Sequence, residues 1–182
     1  MPTIQIGSSQ LTFERGDITR LGRHVGAIVN AANESLFVGG GVCGAIHRAG
    51  GRAIADACYQ IGHCDTGSAV ATTAGFLDAD AVIHAVGPVW NGGSNDEDAL
   101  LASAYASSLA VAEERGLTSI AFPSISTGIY GFPIERAARI AIETVAGRLS
   151  GGSTVDEAIF VLFSEADLAV YRAAAERWAS GN

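Results

Sequence analysis

Apolar and polar positions along this chain switch repeatedly between a period of two and a helical period. Ile4-Gln5-Ile6 and Leu11-Thr12-Phe13 alternate around Gly7-Ser8-Ser9, which predicts an opening β-hairpin. Ala27-Ile28-Val29 is a short apolar run of the kind a buried strand carries. Residues 42–49 and 53–61 read as helices, and residues 68–74 and 81–86, rich in Val, Thr and Ile, read as strands. From Glu97 to Glu114, Leu100, Leu101, Tyr105 and Leu109 fall at helical spacing, and Arg115-Gly116 supplies the stop. Ser119 to Phe122 reads as a buried strand. Pro133 is placed to open a helix to about Leu149 at the favoured first position. After Ser150-Gly151-Gly152-Ser153 come a last strand, 158–163, and a last helix, 166–179.

Strands separated by helices predict an α/β layered fold with a largely parallel sheet, made mixed by the opening hairpin. No repeat, low-complexity tract or boundary interrupts the pattern, so residues 1–182 are expected to form one domain. The N-terminal MPTIQIGSSQ has neither a basic region nor a long apolar run, and no stretch approaches a membrane span. Three cysteines, Cys43, Cys58 and Cys64, form no CxxC pair and suit a reducing compartment. A cytoplasmic location is the expectation.

Composition narrows the chemistry. Nineteen acidic residues against 11 basic ones give a formal charge of −8, which argues against an extended nucleic-acid surface. All the basic residues are arginine. The absence of lysine excludes a Walker-type phosphate loop and any lysine nucleophile. An anionic small molecule stays compatible, because backbone amides at helix starts hold phosphates unaided.

In such sheets ligands lie beyond the carboxyl ends of the strands, and four loops there depart from bland composition. Gly16-Asp17-Ile18-Thr19 either caps a turn or offers a carboxylate to the exocyclic amine of a base. Asn30-Ala31-Ala32-Asn33 followed by Gly39-Gly40-Gly41-Val42 is either a turn or an approachable backbone aimed at an anion. No G-x-G-x-x-G occurs. Ser124-Ile125-Ser126-Thr127-Gly128-Ile129-Tyr130-Gly131-Phe132 is a plain flexible loop or a second set of donors for the same anion. Phe163, at the end of the last strand, is a core aromatic or stacks on a base. His63-Cys64-Asp65 lacks ligand spacing, and no metal or cofactor is expected.

Taken in order, GDIT, NAAN, GGGV-x-GAIHRAGG, HAVGP and PSISTGIYGFP resemble the macrodomain family, specifically its MacroD-type branch, from about Phe13 to Tyr171. The resemblance implies a three-layer α/β/α sandwich with a mixed, mostly parallel, six-stranded sheet that binds ADP-ribose. It implies that Asp17 holds the adenine amino group beside the Ile18 N–H, and that Phe163 packs on adenine. Asn33 would hydrogen-bond the distal ribose. Gly41, Val42, Cys43, Gly44, Ala45 and Ile46 would wrap that ribose and the diphosphate from one side. Ser126, Thr127, Gly128, Ile129 and Tyr130 would cover the diphosphate from the other. The implied catalytic set is Asn33, Cys43 and His47, although His47 reads equally well as structural. One family branch attacks the distal ribose with a lysine; this chain has none to offer.

The departure is Cys43, where MacroD-type hydrolases commonly place an aspartate that positions or deprotonates water. A thiol is a weak hydrogen-bonding group with a free pKa of about 8.5. Three readings follow: a slower hydrolase in which Asn33 and the substrate's own phosphate orient water, a thiolate mechanism, or binding alone. The expectation is hydrolysis of ester-type linkages at the distal ribose, in O-acetyl-ADP-ribose and in mono-ADP-ribosyl-Glu/Asp of proteins. The alternative is a non-catalytic ADP-ribose reader. The expected partners are therefore ADP-ribose, ADP-ribosylated proteins and acyl-ADP-ribose, with no membrane.

Overall fold

The computed structural model describes residues 3–181. Its elements run β1 (Thr3–Ile6), β2 (Ser9–Arg15), β3 (Val25–Ala32), α1 (Gly41–Gly50), α2 (Arg52–Ile61), β4 (Ala69–Thr73), β5 (Ala79–Val86), α3 (Glu97–Glu114), β6 (Ser119–Phe122), α4 (Ile134–Ser150), β7 (Glu157–Leu162) and α5 (Glu165–Gly181). One sheet takes the order β1-β2-β7-β6-β3-β5-β4. Its interior pairings are parallel, while β1 on β2 and β4 on β5 are antiparallel. The sheet therefore has seven strands rather than six, because the opening hairpin contributes β1 as an extra edge.

Helices α3, α4 and α5 cover one face and α1 and α2 the other, which makes the three layers. Strand alternation sends Phe13, Phe122 and Phe160 to the first face. Phe160 is its centre, with ring centroids 5.6 Å from Phe122, 5.8 Å from Phe13 and 5.1 Å from Tyr171. The opposite face is built from smaller side chains, including Ile28, Ile46, Ile54, Cys58 and Ile159. Among the described residues no helix is long and apolar enough to cross a membrane.

Three boundaries differ from the sequence reading, each for a local reason. Pro133 is the N-cap of α4 in extended conformation (ψ 123°), so the helix begins at Ile134. β3 extends to Ala32, which puts Asn30 inside a buried strand opposite His84 of β5. Its NH₂ group finds hydrogen-bond partners on that face. β7 stops at Leu162, leaving Phe163 one residue beyond the sheet and 87% exposed.

Candidate functional site

The carboxyl ends of β2, β3, β6 and β7 open into a cleft of about 720 Å³. It is lined by Asp17, Ile18, Asn33, Gly41, Val42, Cys43, Ala45, Ser126, Thr127, Gly128, Ile129, Tyr130 and Phe163, all anticipated from sequence. Three anticipated residues are not in its wall. Gly44, Ile46 and His47 lie on the turns of α1 that face inward: Gly44 N–H bonds Gly40 O at 3.2 Å, Ile46 is in the core, and His47 is 7% exposed. Helical periodicity accounts for this, since only one stripe of α1 can face the cleft.

At one end, Asp17 Oδ1 accepts hydrogen bonds from Thr19 N (2.9 Å) and Thr19 Oγ1 (2.7 Å). The hydroxyl bond, with the Thr19 N–H and Arg20 adding to it, holds the carboxyl below its ordinary pKa against the opposing effect of burial. Phe163 and Asp167 border the same end.

The middle is framed by two loops. Gly41, the first residue of α1, has φ +56°, a conformation open to glycine and costly for other residues. Facing it, the 123–132 loop is anchored from the aromatic core. Tyr105 Oη accepts Ile125 N–H at 3.1 Å, and Tyr171 Oη lies 2.8 Å from Ser124 Oγ. Burial drives both phenols up, Tyr171 to about 12, so both stay neutral. Phe132 N–H closes the loop on Ser126 O at 2.9 Å. Ser126 itself has φ +68°, and its buried Oγ has no partner. Any side chain at Gly87 would collide with that hydroxyl and with Ile125.

Arg48 also lines the cleft, the one cationic side chain among the lining residues. Sequence reasoning assigned anion binding to backbone amides and small hydroxyl residues and missed it. The signal was present: Gly41, Ala45 and Arg48 share a helical stripe at spacings of four and three.

At the far end Asn33 and Cys43 converge on one carbonyl. Asn33 Nδ2 donates to Phe37 O at 2.9 Å while its Oδ1 accepts Phe37 N–H at 3.2 Å. The Cys43 thiol donates to the same Phe37 O at 3.8 Å, and its sulfur accepts from Gly39 N at 3.4 Å and Asn30 Nδ2 at 3.5 Å. A second hollow of about 490 Å³ abuts this end and shares Asn33, Gly87 and Tyr130 with the cleft.

Behind the cleft wall lies a polar cluster of Asn30, His47, Cys58, Thr72 and His84, which the sequence reading did not assemble. Ligand atoms of His47, Cys58 and His84 all lie within 4.8 Å of one another. His84 Nδ1 faces Asn30 Nδ2 at 3.0 Å and its Nε2 faces Thr72 Oγ1 at 2.8 Å, so an ion there would have to displace one of them. Burial lowers both imidazoles, His84 to about 4. His63, by contrast, is exposed and paired with Asp65 at 2.8 Å, while Cys64 turns into the core.

Comparison with known proteins adds to this geometry. A sequence model of the family described as Macro domain matches residues 29–141. A macro domain-containing protein of Caldanaerobacter subterraneus is 59% identical, covering 85% of this chain and 90% of that protein. An O-acetyl-ADP-ribose deacetylase of Klebsiella pneumoniae is 53% identical over 86% of this chain and 91% of its own length. The Oceanobacillus iheyensis macrodomain with ADP superposes with a TM-score of 0.94 at 37% identity, covering 100% of this chain and 97% of that one.

Proposed function

The chain belongs to the macro domain family, and from that premise we propose that it binds ADP-ribose in the long cleft and hydrolyses ester linkages at the distal ribose. The substrates are O-acetyl-ADP-ribose and mono-ADP-ribosyl esters of protein Glu and Asp. Water is consumed, a carboxylic acid leaves, and ADP-ribose remains. One observation carries the reading: a single cleft presents a base-sized end, two glycine-bearing loops and a hydrogen-bonded polar end in the order adenosine, diphosphate and distal ribose require.

The residues divide the work. Asp17 has its Oδ2 left over from the Thr19 turn for an adenine amine, and Phe163 offers an exposed ring for stacking. Amides of the 39–42 and 126–130 loops, with the Ser126 hydroxyl and Arg48, surround the diphosphate. Asn33 keeps one amide hydrogen beyond its bond to Phe37 O, which is available to the distal ribose or to water. The adjoining hollow gives the acyl group or the modified chain room beyond the ribose.

A second reading, a non-catalytic reader, draws on Cys43. Its thiol hydrogen is already bonded to Phe37 O and its sulfur already accepts two N–H groups, which leaves little capacity to activate water. Titration calorimetry with ADP-ribose and assay of acetate release from O-acetyl-ADP-ribose separate these readings. Heat with release supports the hydrolase, heat without release the reader, and no heat removes both.

A further inference from the structure

The polar cluster behind the cleft can be solved for the direction of its hydrogen bonds. Thr72 sits on β4 and spends its hydroxyl hydrogen on Thr73 O at 3.0 Å. What it turns toward His84 Nε2, 2.8 Å away, is a lone pair. Nε2 therefore carries the ring hydrogen. The ring is neutral, since it is fully enclosed and no carboxylate is hydrogen-bonded to it; the Cys58 thiol lies 3.6 Å from Nε2 and 3.9 Å from Nδ1, farther than the Thr72 and Asn30 contacts. Nδ1 then has only a lone pair, and Asn30, its register partner on β3, must present N–H to it at 3.0 Å. The second hydrogen of the same NH₂ group is directed to Cys43 Sγ at 3.5 Å.

This orientation is chosen against a cost. It leaves Asn30 Oδ1 buried without a partner, an unfavourable state for a carbonyl. Rotating the amide would set Oδ1 against the Nδ1 lone pair and move the NH₂ group to the side without partners. The direction set at Thr72 thus fixes the orientation of Asn30.

We propose that Asn30 is a positioning residue: held by the Thr72–His84 relay, it fixes the side chain at position 43 as a hydrogen-bond acceptor at the distal end of the cleft. Cys43 cannot give its thiol hydrogen to Asn30, so it gives it to Phe37 O, the carbonyl that also holds Asn33. The relay runs from the edge strand β4 through β5 and β3 to α1. It links three residues that do not line the cleft to two that do. The kinetic part of this inference rests on the hydrolase reading above; the tautomer part does not.

The test is long-range ¹H–¹⁵N NMR of the histidine rings in the whole protein, alongside Thr72→Val and Thr72→Ser. The unaltered protein should show His84 as the neutral Nε2–H tautomer at pH 7, and Thr72→Ser should retain it. Thr72→Val, nearly isosteric, should release the ring to the Nδ1–H form and let Asn30 rotate. It should lower kcat for O-acetyl-ADP-ribose about tenfold while the ADP-ribose Kd stays within about twofold, with Thr72→Ser restoring the rate. An Nδ1–H or doubly protonated His84 in the unaltered protein overturns the relay. So does a Thr72→Val protein whose tautomer is unchanged. If the unaltered protein shows the Nε2–H ring but no turnover, the hydrolase reading fails and the relay stands on the tautomer shift alone.

Discussion

The two faces of the sheet are built differently. Under α3, α4 and α5, rings pack on rings: Phe13, Phe122 and Phe160 with Tyr105 and Tyr171. Under α1 and α2 the buried space instead holds Asn30, Thr72 and a tilted His47–His84 pair beside small aliphatic side chains. The first face supplies rigidity and reaches the cleft through Ile125 and Leu162 and through two phenol hydroxyls that pin the 123–127 segment. The second face gives up apolar contact for hydrogen bonds that end on Cys43 in the cleft wall. Stability and chemistry are thus drawn from opposite sides of one sheet.

The comparison breaks most visibly at Phe160. Phe160→Ala should cost about 3–5 kcal/mol of unfolding free energy in urea, as truncating a fully buried ring does. Protein that remains folded should bind ADP-ribose within about threefold of the original. A comparable loss of affinity would mean the aromatic face also shapes the ligand site.

Acid sharpens it from the other side. Burial lowers the pKa of His84 from the ordinary 6.5 to about 4, so the ring is neutral in the fold. The unfolded chain therefore binds the extra proton first. Stability should fall as pH drops from about 6.5 to about 4, by roughly 2–3 kcal/mol in all. Urea melts at pH 7 and 4.5 should show this loss, and His84→Gln should flatten it. If the variant loses as much as the unaltered protein, the acid sensitivity arises elsewhere.

The smallest effect concerns the mouth of the cleft. Arg48→Ala should weaken ADP-ribose binding by about two- to fivefold, the range of an exposed charge pair, and the deficit should shrink at high salt. A salt-independent loss would point to packing over Gly44 instead.

Much of this was legible in the sequence. The strand and helix periods located every element within a few residues, and α3 came out at Glu97–Glu114 as read. The loops were visible because glycines, asparagines and small hydroxyl residues cluster at strand ends. The buried cluster was not visible. Asn30, Thr72 and His84 lie on three strands, far apart in sequence, and only the register that sets Asn30 opposite His84 brings them together. Phe163 shows the opposite limit: an apolar residue ending a strand reads equally as core or as a stacking surface, and only the end of β7 one residue earlier leaves it in the open. Arg48 was hidden by its motif, where the histidine beside it drew the chemical argument.

The central claim is distal-ester hydrolysis held back by Cys43, and it meets its most direct test in paired single-turnover rates on O-acetyl-ADP-ribose for the unaltered protein and Cys43→Asp. The account predicts measurable acetate release by the unaltered protein and at least about tenfold faster release by Cys43→Asp, at similar ADP-ribose affinity. An equal rate in both proteins would show that position 43 is not limiting. Tight ADP-ribose binding with no release by either protein would contradict the claim outright.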